Sequence, residues 1–421
     1  MILRIISKVC FMLLIALAAV SCFFSGDYRA EASGFAIYTH GAKELGMANA
    51  VTAHSEGAAS NFFNPALLGE IEGNQVEAGT SLIYPGREYT GSASGETVSA
   101  ESQLYFPSTL FGVYHLNDRC TAGVGITSPF GLGTSWPDDW EGRYIVTDVE
   151  MATFMFNPNI ALKVTDRLTV AGGIDMLYAD AVFENNMLLI PGFSDAESKF
   201  EGDDIAWGYN LGLLFKLTEA TSLGMAYRSG MDLHLEGTAE FVLPSSTPTA
   251  LRAMLPNTGG SATMQLPSQL FVGLACKLKT GWLIEAGAIR EEWSRYDNVV
   301  FHFDTGLVSV KETKWNNSMA YMLGVKYNIT PTDALTVGYL YNEDPIPDDT
   351  FDPQITASKK QALSAGWQMY RGNWGVAVSW MYERYDDRIK DNQVDGGSGL
   401  TANGTYEQYT HIGALSVTYR F

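Results

Sequence analysis

The sequence predicts an all-β fold: a 14-stranded antiparallel transmembrane outer-membrane β-barrel with an N-terminal plug. Three observations predict it. The first residues have the form of an export signal. From about residue 75 the chain alternates with period two, apolar and aromatic on one face, small or polar on the other. Short polar turns recur roughly every fifty residues, each leading into an alternating segment.

The leader comes first. Arg4 and Lys8 form a positive start, Val9 to Val20 is an apolar run, and Ala30-Glu31-Ala32 offers a small-x-small cleavage site before Ser33. The run is too short to span a bilayer comfortably, so residues 1–32 read as a removable signal peptide. Ala19-Val20-Ser21-Cys22 loosely resembles a lipoprotein signal, with a smaller residue at Ala19 than that pattern prefers. Removing 1–32 takes three basic and two acidic residues from the 27 Lys+Arg and 47 Asp+Glu, leaving a net charge of −21. Such an excess disfavours nucleic acid as a partner. Cys120 and Cys276 alone remain, which is no disulfide framework, and they read as unpaired small apolar residues. No mature segment reaches the ~18 apolar residues of a spanning helix. Plentiful glycine (42 residues) and aromatics (12%) favour a barrel over a periplasmic or secreted globule.

Alternation supplies the strands. Tyr409, Leu415, Val417, Tyr419 and Phe421 share one face of the C-terminal segment, against Thr410, Ala414, Ser416, Thr418 and Arg420. Trp374, Val376, Val378, Trp380 and Tyr382 repeat the pattern, as do Leu335, Val337, Tyr339 and Tyr341. Turns such as Asn117-Asp-Arg, Thr165-Asp-Arg, Thr218-Glu-Ala and Thr332-Asp-Ala separate them. Strands are expected near 75–90, 104–116, 119–128, 143–165, 168–187, 200–217, 221–241, 263–278, 281–301, 309–328, 333–342, 358–371, 374–387 and 405–421. An even count, with short turns at one end and long loops at the other, is the outer-membrane pattern. A soluble sandwich or solenoid would leave Trp374, Trp380 and Phe421 on a continuous apolar outer face.

Residues 33–74 lack that alternation. They are rich in Gly, Ala and Ser, and the stretch Ser60-Asn-Phe-Phe-Asn-Pro-Ala-Leu-Leu-Gly69 is too apolar for a solvated loop. Pro65 removes a donor and biases Asn64 away from helix, which suits a tight turn. Such a segment belongs inside the lumen, where protein surrounds irregular backbone. The alternative is a loop leading into the first strand.

Ser33-Gly-Phe-Ala36, Asn64-Pro-Ala66, the run Gly125-Ile-Thr-Ser-Pro-Phe-Gly-Leu-Gly-Thr-Ser-Trp136 with Trp140-Glu-Gly-Arg-Tyr144, Tyr227-Arg-Ser229 and the terminal Tyr-Arg-Phe together resemble the FadL/TodX family of outer-membrane transporters. The resemblance implies a fourteen-stranded barrel, a hatch carrying Asn-Pro-Ala, and uptake of long-chain fatty acids or other hydrophobic molecules. Gating then falls to Ser33, Gly34, Phe35, Asn64, Pro65 and Ala66.

Candidate chemistry lies in the loops. Phe130, Leu132 and Trp136 in one, and Leu251, Met254 and Leu255 on a short amphipathic helix in another, are apolar where water is expected. They either shield one another or capture a hydrophobic ligand. A carboxylate head group in an apolar lumen needs a cation, and strand phase turns Arg228 inward for that role; a salt bridge to a lumen carboxylate is the alternative. Gly123, Gly125 and Pro129 weaken the third strand and mark a lateral gate. The six histidines have no ligand spacing, and no nucleophile elbow, phosphate loop or metal motif is present, so neither enzyme nor cofactor nor metal is expected. Acidic outer loops (Glu343-Asp, Asp348-Asp, Asp386-Asp, Asp391, Asp395) read as a solvated face with secondary cation bridges to lipopolysaccharide. Outer-membrane lipid and, through Phe421, the barrel-assembly machinery are the other expected partners of a monomer. An adhesive barrel and a general porin are the rival functions.

Overall fold

The computed structural model describes residues 34–190, 194–279 and 281–421; the leader and Ser33 lie outside the described residues. Fourteen staves close one antiparallel ring: β1 Gln75–Gly91, β2 Ser108–Asn117, β3 Cys120–Thr127, β4 Asp148–Lys163, β5 Leu168–Met187, β6 Ala196–Lys216, β7 Thr221–Arg228, β8 Gln269–Lys277, β9 Trp282–Glu291, β10 Ser318–Asn328, β11 Asp333–Asn342, β12 Lys360–Arg371, β13 Trp374–Tyr385 and β14 Gly404–Arg420. β1 closes on β14 in unbroken register from Gln75↔Arg420 to Gly91↔Gly404. Closure removes the free sheet edges that a bilayer could not solvate. The period-two reading holds at residue level. Trp374, Val378 and Trp380 are exposed, while Gly375, Ala377 and Ser379 between them are buried. The exposed apolar row faces lipid and the small row faces the lumen.

Four expected strands are broken. The expected 221–241, 263–278, 281–301 and 309–328 each divide, and their outer parts (231–242, 258–266, 298–303, 308–312) pair with one another as an extension of the sheet from β6. At Gly230 the Arg295 guanidinium fills the place of a side chain, and Pro267 has no donor to give a ladder. At 292–297 and 313–317 the chain leaves the wall to point Trp293, Tyr296 and Trp315 inward.

Residues 34–74 fill the ring, with α1 Ala42–Leu45, α2 Ser60–Phe63 and a 3-10 turn Pro65–Glu70 nearly all buried. Glycine on the inward faces makes the fit possible. A Cβ at Gly224 would stand 2.0 Å from the Thr52 carbonyl oxygen, and one at Gly338 2.3 Å from the Met47 carbonyl carbon. Both neighbours are backbone, so nothing larger than glycine fits without moving the segment.

Candidate functional site

The opening stretch is a clamp on the wall. Asn64 is extended, as the residue before proline prefers, and its Oδ1 accepts from the Ala66 amide at 3.1 Å. Its Nδ2 donates to the Thr52 carbonyl at 2.8 Å and to the Leu213 carbonyl of β6 at 3.1 Å. One side chain therefore caps the Pro65–Glu70 turn, ties it to the rest of the segment and fastens it to a stave.

Charged anchors surround that clamp. Lys43 Nζ lies 2.6 Å from Glu77 of β1. Glu285 of β9 accepts from the Thr52 and Ala53 amides at 2.5 and 2.8 Å, and its other oxygen meets His54 Nδ1. The second His54 nitrogen lies 2.8 Å from Glu56, which Lys326 of β10 holds at 2.6 Å and the Gln368 amide at 2.9 Å. Burial opposes charge on His54, but Glu285 and Glu56 outweigh it and raise its pKa to about 9. Burial likewise pushes Glu56 up, yet Lys326 and His54 hold it well below the usual carboxylate range. His40 goes the other way: burial, with Arg228 nearby, lowers it to about 3, so it is a neutral ring against Phe62.

Toward the outer end the segment changes character. Phe35 is caged edge-on by Trp293 at 4.8 Å, Tyr296 at 5.5 Å, Trp315 at 6.0 Å and Phe130 at 6.1 Å. Gly34 passes so close to Trp293 and Trp315 that a side chain would meet their rings. Beside this cage lies a largely apolar cavity of about 450 Å³, within the range of small-molecule sites. Residues 34–39 and parts of β1, β4, β11, β12, β13 and β14 line it, with Phe130, Leu132, Leu340 and Met381 among the apolar groups. Lys360 and Glu383 form a 2.9 Å pair on its wall.

The cavity runs along an interruption between two neighbouring staves. Pairing of β2 with β3 ends at Leu110↔Ile126, beyond which residues 105–108 on one side and Ser128, Phe130 and Gly131 on the other line the cavity. Residues 131–135 resume pairing with β4, and across the gap the Glu101 amide donates to the Ser135 carbonyl at 2.8 Å. The Tyr105 ring leans over Gly133, where a Cβ would meet the hydroxyl.

Several expected site residues are placed elsewhere. Arg228 is inward but already paired, with Asp175 at 2.6 Å, the Phe62 carbonyl at 3.1 Å and the Phe62 ring at 4.6 Å, so its charge is met within the barrel. Gly123 and Gly125 do not weaken the wall, since they are paired on both sides, to Val113 and Phe111 and to Asn159 and Asn157. Their missing side chains make room for Asn61 and Leu68 of the segment. Pro129, in contrast, lies at the interruption and its carbonyl accepts from the Ile37 amide at 2.8 Å. Trp136 is buried, stacked on Trp140 at 4.5 Å and bonded to the Pro353 carbonyl, so it builds the loop core. Leu251, Met254 and Leu255 stand on α3 (Thr249–Met254) and beside it, none of them buried and none lining the cavity. Asn64, Pro65 and Ala66 likewise lie apart from it. Sequence reasoning missed the cage residues Trp293, Tyr296 and Trp315, which it placed within the expected strands 281–301 and 309–328.

A fourteen-stave lipid-facing barrel whose lumen is filled by its own N-terminus, with an apolar cavity at a gap in the wall, defines a plugged outer-membrane transport barrel. The chain belongs to the outer membrane protein transport protein family (OMPP1/FadL/TodX), whose model matches residues 25–421. It is 24% identical over 376 residues to the long-chain fatty acid transport protein of Escherichia coli O6:H1 (strain CFT073), covering 80% of this chain and 83% of that one. It is also 24% identical to the 47 kDa outer membrane protein of Pasteurella multocida, over 93% of this chain and 95% of that one. Among solved structures, a Pseudomonas aeruginosa FadL homologue superposes with a TM-score of 0.85 at 18% identity, covering 92% of this chain and 100% of that chain. The P. putida toluene transporter TodX does so at 0.73 and 18%, over 91% and 98%. At such identities these two structures establish the fold alone.

Proposed function

We propose that the protein carries hydrophobic molecules, long-chain fatty acids foremost and aromatic hydrocarbons as the second class, passively across the outer membrane. The observation that supports this is the apolar cavity beside Phe35, lying along the interruption between β2 and β3. Ligand leaves the partly exposed apolar groups Leu251, Met254 and Leu255, settles against Phe130 and Leu132, and exits sideways into the bilayer between residues 105–108 and 128–131. Burial of apolar chain supplies roughly 0.8 kcal/mol per CH₂, so affinity needs few polar contacts. Residues 33–74 act as the hatch and 75–421 as the barrel, after loss of a signal at 1–32. In this reading the chain works as a monomer without a catalytic step, Phe421 addresses the barrel-assembly machinery, and the acidic loops meet lipopolysaccharide through divalent cations.

Uptake of labelled oleate by cells with and without the protein tests the reading. Faster uptake with the protein, and no large steady conductance in a planar bilayer, is the expected result. A steady aqueous conductance with no effect on oleate would instead make it a porin.

A further inference from the structure

The carboxylates that grip the N-terminal segment have donors. Glu77 takes Lys43, Glu285 takes the Thr52 and Ala53 amides and His54, and Glu56 takes Lys326, Gln368 and His54. Glu44 of α1 is the exception. It is 0% exposed, and neither oxygen of its carboxyl has a hydrogen-bond partner among the described residues. The carboxyl folds back over Gly41, where any side chain would meet Oε2. Lys43 beside it points elsewhere, to Glu77 at 2.6 Å, Thr418 at 3.1 Å and the Glu56 carbonyl at 3.4 Å. The helix packs on β1, β12, β13 and β14. β1 brings Glu77, β12 brings Tyr370, and β14 brings Arg420, which lies over the Tyr370 ring at 3.9 Å. On β13 the buried acid is Glu383, held by Lys360.

A carboxylate buried without donors is far costlier than the neutral acid in the same place. We propose that the segment is a proton-operated latch: closed, it keeps one proton on Glu44, and loss of that proton turns Lys43 from Glu77 on the wall toward Glu44 on the segment itself and frees α1. The two states differ by one proton and by the partner of one lysine. Burial, then Glu77, and to a smaller extent Glu56 raise the Glu44 pKa to about 8, against the pull of Lys43 and of its own amide. A raised carboxyl favours the closed state fully below 4.5, its ordinary value, and that advantage is lost as pH rises to about 8. External pH thereby sets how readily the seal opens. This rests on the reading of residues 42–70 as the seal and adds what regulates it.

Two measurements on the purified protein in lipid nanodiscs test this against Glu44→Gln, which is neutral at every pH. Infrared difference spectra of the wild type should show a protonated-carboxyl C=O band that fades as pH rises to about 8 and is missing from the variant. The Leu45, Gly46 and Met47 amides, which bond within and just after α1, report its opening by hydrogen exchange. Their exchange in the wild type should quicken relative to the variant by up to tenfold per pH unit between 4.5 and about 8, the signature of one proton, and then run parallel. His40 and His54 titrate in overlapping ranges but are present in both proteins, so the ratio cancels them. A missing band, a band retained in Glu44→Gln, or a ratio independent of pH overturns the latch. Each of these leaves the transport reading standing, because oleate uptake decides that separately. Should Glu44→Gln fail to fold, judged by heat-modifiable gel mobility, Glu44→Leu takes its place in both measurements.

Discussion

The two ends of the N-terminal segment are held by opposite kinds of interaction. Residues 42–70 are locked: glycines bring the walls against their backbone, and Glu77, Glu285 and Lys326 grip them through buried charge. Residues 34–39 are held by aromatic edges and by one wall with a gap in it. Buried ion pairs are directional and fail when one partner goes, whereas aromatic contacts tolerate displacement and replacement by another apolar group. In the proposed reading, sealing falls to the inner end and ligand exchange to the outer end.

Glu285→Ala attacks the lock hardest. It strands the Thr52 and Ala53 amides and leaves His54 facing Glu56 alone, a loss of about 3–5 kcal/mol for a broken buried pair. The expected result is frequent channel openings in planar bilayers from a barrel that still runs heat-modifiable; a silent channel would deny the lock its role. A second comparison sets Gly224→Val against Gly133→Val. The first drives a side chain into the Thr52 carbonyl, the second only into the movable tip of Tyr105. Gly224→Val should cost about 1–3 kcal/mol and loosen the segment, while Gly133→Val should change oleate uptake at unaltered thermal stability. Equal destabilisation by the two would erase the distinction between the ends.

Asn64→Ala removes the cap and both carbonyl contacts, worth about 0.5–2 kcal/mol. Uptake should fall at equal surface expression, and unchanged uptake would deny Asn64 a part in gating. A smaller effect comes from pH. The His54 pKa is raised, so the stabilisation from its charge is complete below 6.5 and is lost as pH rises through about 9. Glu56, being depressed, contributes in the opposite sense and weakens only in acid. Amides 50–56 should therefore exchange faster above 9 than below 6.5 after correction for intrinsic rates, and His54→Gln should flatten that difference. Least of all, serine at Leu251, Met254 and Leu255 should leave melting within about 0.5 kcal/mol of the wild type while weakening oleate capture.

The strand count was legible because lipid and lumen impose a strict period of two, and fourteen such runs survive turns and loops. Two of the interruptions, at 292–297 and 313–317, were not, because Trp293, Tyr296 and Trp315 continue the apolar pattern where the chain leaves the wall; the other two fall at Gly230 and Pro267, residues that do mark a weak ladder. Glycine was read with the wrong sign at Gly123 and Gly125: a missing side chain looks like a weak strand, and only the lumen contents show that Asn61 and Leu68 need the space. Arg228 was placed inward correctly, but its partner Asp175 is far away in sequence on another stave.

The central claim is that ligand passes through the interrupted wall. The β2–β3 register continued by one residue sets Thr109 opposite Thr127, just where pairing stops. Thr109→Cys with Thr127→Cys, in a background with Cys120 and Cys276 replaced by serine, would sew that gap shut. With the cross-link verified by mass, oleate uptake should stop in the oxidised protein while oleate binding persists, and reduction should restore uptake. Undiminished uptake through the cross-linked barrel would contradict the account.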